Sequence, residues 1–125
     1  SQIIPDPKPG LPDIDIFGSE PAHTWCYFFQ KADLARQTED WEKVLVLFEE
    51  AQQLGFTPKF GAEYIPLIEA HAQTGDWQKA YDLTIAAAEM TPGLKRMMCA
   101  NWVRLSRLPS ADIKTAERVD QTFSC

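Results

Sequence analysis

The chain has 125 residues, 45% of them hydrophobic, with four tryptophans and seven phenylalanines. This composition favours one domain with a packed interior over a disordered chain. The net charge of −6 argues against a nucleic-acid binder, since phosphate contacts need clustered lysines and arginines. No apolar run approaches the roughly 20 residues of a transmembrane helix and no signal peptide is visible, so we expect no direct membrane insertion of this chain.

The first 18 residues contain prolines at positions 5, 7, 9 and 12. Proline removes a hydrogen-bond donor and forces extended backbone, so residues 1–18 are predicted to form a linker or arm. We expect residues 1–10 to be irregular. The apolar segment Ile14–Phe17 is expected to contact the helices that follow.

Apolar residues recur at steps of three and four along residues 19–125, which predicts six amphipathic helices. Ser19, Asp40 and Asp76 are placed to cap the first, second and fourth helices. Gly55 and Gly75 are placed to end the second and third. The residues predicted to face the core are, helix by helix, Trp25, Phe28, Phe29, Ala32 and Ala35; Trp41, Val44, Leu45, Phe48 and Ala51; Tyr64, Ile65, Ile68, His71 and Ala72; Trp77, Ala80, Tyr81, Thr84, Ala87 and Ala88; Leu94, Met98, Trp102 and Leu105; and Ile113, Ala116, Val119 and Phe123.

Prolines mark the remaining boundaries. Because a proline inside a helix costs about 3 kcal/mol, the third helix is predicted to begin at about Ala62, with Pro66 near its first turn or at a local bend. Pro92 and Gly93 are expected to end the fourth helix, and Pro109 to separate the last two.

Two similar heptapeptides stand in the chain, TEDWEKV at residues 38–44 and TGDWQKA at residues 74–80. Their tryptophans, Trp41 and Trp77, are 36 residues apart, a period typical of helical solenoids. Residues 61–94 resemble a tetratricopeptide repeat, and residues 25–58 resemble one less closely. The matching positions are Tyr64, Leu67, Gly75, Asp76, Trp77, Ala80, Ala87 and Pro92 in the former and Phe28, Ala32, Ala35, Val44, Phe48 and Ala51 in the latter.

This resemblance implies an all-α fold, an α-α superhelix of about three antiparallel helical hairpins over residues 19–125. The last hairpin would be a degenerate repeat or a cap. Each heptapeptide would then form the turn of one hairpin, with Trp41 and Trp77 at equivalent, mostly buried positions. Because Glu39 stands where the second turn has Gly75, the first turn is expected to differ by a residue.

The resemblance also implies a non-catalytic scaffold. In tetratricopeptide arrays the first helix of each hairpin lines a groove that binds a protein segment. The family's carboxylate clamp uses Lys and Asn in that groove, whereas Phe29 and Asp33 occupy such places here, so we do not expect chaperone tails to bind. The groove could instead receive the chain's own segment Ile14–Phe17. Helix periodicity predicts as groove residues Phe29, Asp33, Arg36, Ile65, Glu69, Met97, Asn101 and Arg104.

Two other resemblances offer different functions. Residues 56–83 are also similar to a pentatricopeptide repeat, which implies an RNA reader, although the acidic balance disfavours one. Residues 20–42 look like the soluble C-terminal tail of multi-pass, glycosyltransferase-like bacterial membrane proteins. The start without Met would suit a fragment of such a protein, and the domain would then be its structural or regulatory appendage.

The remaining reactive residues predict neither catalysis nor a metal or cofactor. His23 and Cys26 have ligand-like spacing, but a zinc site needs about four ligands. If helix six returns along helix five, Cys125 comes within disulfide reach of Cys99, a Cα separation of roughly 4.4–6.8 Å. Outside the cytoplasm we expect that bridge, with Cys26 unpaired; inside the cytoplasm we expect three free thiols.

Overall fold

A computed structural model describes residues 24–125, and within that range the chain is all-helical, without strands. The prediction of an all-α protein is therefore confirmed for this part of the chain. The arm at residues 1–18, its segment Ile14–Phe17 and the predicted cap Ser19 lie outside the described residues. The elements are α1 (Trp25–Gln37), α2 (Trp41–Gln53), a 3-10 turn (Gly61–Tyr64), α3 (Ile65–Gln73), α4 (Trp77–Met90), α5 (Lys95–Leu105) and α6 (Ile113–Phe123).

Helices that are consecutive in the chain pack against each other. The contacts are most extensive between α1 and α2, between α3 and α4, and between α2 and α3, and α5 also packs against α6. Residues 38–40 join α1 to α2, and residues 74–76 join α3 to α4. Such short connections between packed helices make the chain reverse direction within each pair.

The two heptapeptides form the same turn. The N–H of Asp40 donates to the carbonyl oxygen of Ala35, and that of Asp76 donates to His71, each over 2.8 Å. The side chains of the two aspartates then cap α2 and α4 by accepting hydrogen bonds from the backbone N–H groups of Lys43 and Lys79. One aspartate therefore closes the first helix of each pair and starts the second, because both helix ends need partners for their unpaired backbone groups.

The expectation that the first turn differs by a residue is wrong. Glu39 has a φ of 60° and Gly75 a φ of 96°, so both lie in the left-handed region that closes a helix. The glutamate therefore adopts a conformation that glycine reaches without strain, and the turn keeps its length.

The start of α1 also differs from the prediction. Thr24 has extended backbone and occupies the N-cap position of α1, which begins at Trp25, six residues after the predicted cap at position 19. The third helix begins at Ile65, later than the predicted start at about Ala62, because a 3-10 turn precedes it. Pro66 lies in the first turn of α3 as expected, where a missing N–H costs little.

Glycine is required at position 61 because the backbone there lies very close to Ala87 and Leu94. A Cβ atom there would lie 2.3 Å from the carbonyl oxygen of Ala87 and 2.7 Å from a methyl group of Leu94. The N–H of Gly61 also donates to the hydroxyl of Thr91 over 2.6 Å. The 3-10 turn is thereby fixed against the end of α4.

The predicted core residues are buried or half-buried, with the exception of Ile113. Trp77 is 6% exposed and packs against Trp102. Trp41 is half-buried and packs against the apolar residues of α1 and α2. Each is the first residue of the second helix of its pair, with Trp41 the more exposed of the two. Ile113 is 52% exposed and lies outside the core. The buried indole of Trp102 donates to the hydroxyl of Thr84 over 2.9 Å, which satisfies its one polar atom.

Cys99 and Cys125 form a disulfide, with their Cα atoms 5.7 Å apart. The predicted pairing is thus confirmed, and Cys26 is an exposed free thiol. The bond ties the end of the chain, beyond α6, to α5.

Candidate functional site

A cavity of about 370 Å³ opens between α1, the start of α3 and α5. We call it the groove. Seven of the eight predicted groove residues line it, although they come from three helices that are distant in the sequence. Its lining residues are Phe29, Asp33, Arg36, Ala62, Ile65, Pro66, Met97, Ala100, Asn101 and Arg104.

Glu69, the eighth predicted residue, is buried next to the groove and holds two of its arginines. Its side chain is 3% exposed, and its Oε1 atom accepts a hydrogen bond from Arg36 over 2.9 Å. The other oxygen, Oε2, accepts from Arg104. Two guanidinium partners compensate the desolvation of this carboxylate, which would otherwise be strongly unfavourable.

Asp33 completes the charge cluster on α1. The Nε and Nη2 atoms of Arg36 both donate to Oδ1 of Asp33, over 3.1 and 3.0 Å. Burial alone would lower the pKa of Arg36, but its hydrogen bonds to Glu69 and Asp33 outweigh burial and raise that pKa. The cluster of Asp33, Arg36, Glu69 and Arg104 therefore has two positive and two negative charges.

Asn101 is the polar residue of the groove whose hydrogen bonding is incomplete. It is 6% exposed, and its Oδ1 atom accepts from Arg104. Its Nδ2 atom is buried and has no hydrogen-bond partner among the described residues. A buried donor of this kind is uncommon, because an unsatisfied amide costs about 1–3 kcal/mol.

Apolar side chains cover the rest of the groove. Phe29 and Ile65 are half-buried, and Met97 is 49% exposed. Ala62, Pro66 and Ala100 were not predicted to lie here, and they widen the groove because their side chains are small. The site therefore combines a balanced ionic cluster with an apolar surface.

The role of Glu69 could have been found in the sequence. Arg36 and Arg104 are 33 and 35 residues from Glu69, close to the repeat period. The corresponding positions of α1, α3 and α5 therefore carry a positive, a negative and a positive charge. What the spacing could not give is the burial of the carboxylate, which depends on how closely the three helices pack.

A second cavity, of about 470 Å³, lies between α2, α3 and α4. Its lining includes the aromatic side chains of Trp25, Phe48 and Phe56. His71 lines it, and burial lowers the pKa of this histidine, with Lys79 acting in the same direction and Asp76 opposing. The sequence pattern predicts His71 only as a core residue.

No set of three metal-binding side chains was found within residues 24–125. His23 lies outside that range, and Cys26 is exposed. None of the helices in the same range is long and apolar enough to cross a membrane.

Comparisons with protein families, with curated proteins and with solved structures gave no match to this chain.

Proposed function

We propose that this protein is a non-catalytic interaction module that binds a protein segment in the groove between α1, α3 and α5. The helices would be arranged as a tetratricopeptide-like superhelix of three hairpins. Support comes from the shared turn at Asp40 and Asp76 and from the packing of each helix pair on the next.

One observation carries the proposal. Seven of the eight residues predicted from one face of the first helix of each hairpin line a single cavity of about 370 Å³. Three helices that contribute one continuous surface make a site suited to an extended ligand, since each helix adds contacts along its length.

The electrostatics of the groove favour a protein segment over RNA. A nucleic-acid site needs unpaired basic side chains to neutralise phosphates. Here Arg36 and Arg104 are both engaged by carboxylates, and the chain has a net charge of −6. The apolar side chains of Phe29 and Met97 offer the kind of surface on which peptide side chains are desolvated.

Selection from random peptides displayed on phage tests the proposal, with the whole 125-residue chain as bait. We expect selected peptides to lose affinity by roughly tenfold or more when Met97 is changed to alanine, because Met97 is the large apolar side chain that the groove exposes most and a few such contacts carry most of the binding energy. Val103→Ala is the matched control, since Val103 is on the same helix, is 45% exposed and does not line the groove.

Two results would contradict the proposal. One is that selection on the original chain enriches no peptide beyond those enriched by selection on the Met97→Ala variant. The other is that the selected peptides bind both variants as they bind the original chain, which would place their site elsewhere.

A further inference from the structure

We propose that the groove recognises an uncharged stretch of peptide, with a backbone carbonyl oxygen accepting a hydrogen bond from Asn101 and an aliphatic side chain lying against Phe29, Ile65 and Met97. The inference rests on the proposed function and specifies the chemistry of its ligand. It starts from the Nδ2 atom of Asn101, the buried donor that lacks a partner within residues 24–125.

The orientation of the Asn101 amide decides which group it binds. Its Oδ1 atom already accepts from the Nη2 atom of Arg104, and a flipped amide would set two donors against each other. The amide therefore has only a donor to offer. Its partner must be an oxygen acceptor such as a carbonyl group and cannot be a peptide N–H.

The charges around Asn101 select a neutral acceptor. Both oxygens of Glu69 are bonded to arginines, and Arg36 uses three of its nitrogens on Glu69 and Asp33. A carboxylate that entered the groove would lose its hydration without gaining an unpaired cation. A peptide carbonyl needs no such compensation.

Access to Asn101 requires movement of a neighbouring side chain, because its Nδ2 atom is buried. Met97 precedes Asn101 by one helical turn and is 49% exposed. The side chain of Arg104 is 57% exposed. Met97 can change rotamer at little cost in packing, whereas Arg104 stays bonded to Glu69 and Asn101, so a ligand that displaces Met97 can uncover the amide.

The test uses two probes of the same shape, 3-methylbutanamide and 3-methylbutanoate, added to the isotope-labelled chain. Each presents an isobutyl group next to a carbonyl oxygen, but only the second is charged. The side-chain amide signal of Asn101 is followed by NMR up to about 50 mM probe, a range suited to so small a ligand.

We expect the neutral amide to shift the Asn101 signal and to bind at least about fivefold more tightly than the carboxylate, since only the anion is desolvated without compensation. Met97→Ala should weaken the binding of 3-methylbutanamide by several-fold, and Val103→Ala should leave its affinity unchanged. Asn101→Asp removes the donor. In this variant, addition of 3-methylbutanamide should no longer change the NMR signals of Ile65 and Met97. Met97→Ala keeps the test decisive if Asn101→Asp does not fold.

Equal or tighter binding of the carboxylate would overturn the inference, as would an Asn101 signal that neither probe moves. Such a result would leave the proposed function standing if phage-selected peptides still depend on Met97. If peptide selection fails too, the groove does not bind protein segments and both proposals fall.

Discussion

The guanidinium of Arg36 and the carboxylate of Glu69 lie 2.9 Å apart, although 33 residues of sequence separate them. Together with Arg104 they link α1, α3 and α5 around one nearly inaccessible carboxylate. An ion pair of this kind contributes to specificity because each helix must be in place for the charge to be compensated.

Replacing that carboxylate should be costly. Glu69→Gln keeps the shape of the side chain but leaves two arginines facing a neutral amide, and we expect a loss of about 1–3 kcal/mol in the free energy of unfolding. The arginines are partly exposed and can turn to solvent, which limits the loss. Urea denaturation measures it, with exposed Glu49→Gln as the control, expected to change stability by less than about 0.5 kcal/mol. Equal effects in the two variants would contradict this assignment.

Stability should fall on mild acidification because of His71. Burial lowers the pKa of this histidine in the folded state, so the unfolded chain binds the proton more readily. Its contribution is therefore fully present above the ordinary histidine pKa of about 6.5 and is lost as the pH falls through the lower pKa of the folded state. We expect His71→Gln to show a smaller decrease in unfolding free energy between neutral pH and about pH 5 than the original chain. An unchanged pH profile would show that other groups cause the effect.

The two equivalent turns should respond in opposite directions to substitution. Gly75→Ala places a Cβ atom at a φ of 96° and should cost about 1 kcal/mol, although no atom obstructs it. Glu39→Gly removes that strain from the first turn, and we expect it to raise the free energy of unfolding by up to about 1 kcal/mol. Thermal and urea unfolding of both variants gives the comparison. Destabilisation by Glu39→Gly would mean that its side chain has a role beyond the turn.

Reducing the disulfide should destabilise the last two helices. Cys99 and Cys125 are 26 residues apart, and a loop of this size is worth about 2–4 kcal/mol. We therefore expect Cys125→Ser to lower the melting temperature, whereas Cys26→Ser should leave it unchanged. Mass spectrometry after alkylation of the native, oxidised protein should show one modified cysteine, at position 26. Modification of all three would rule out the bond.

Local features of the fold were predictable from the sequence because they depend on few neighbours. Asp40 and Asp76 were recognised as caps from the repeated turn, and Pro66 indicated where α3 begins. The partial exposure of Trp41 was not predictable, because the repeated motif does not specify which helices pack against each tryptophan. Trp77 packs against Trp102 of α5, whereas Trp41 packs on the residues of α1 and α2.

The candidate site divides in the same way. Periodicity was sufficient to place Met97 and Asn101 on one face, and that face proved to line the groove. The Nδ2 atom of Asn101, which has no partner among the described residues, and the buried position of Glu69 could not be read from spacing. Both depend on where Arg104 comes to lie against a neighbouring helix.

The buried apolar residues fall into two separate clusters, one built on α1 and α2 with Ala70, the other on α3 to α6. Each cluster can protect its own amides from solvent, so hydrogen exchange should resolve two levels of protection. The slower level is expected in α3 to α6, where Trp102 and the disulfide lie. A segment bound across α1, α3 and α5 would span both clusters. It should therefore slow amide hydrogen exchange in α1 to a rate close to that of α3 to α6.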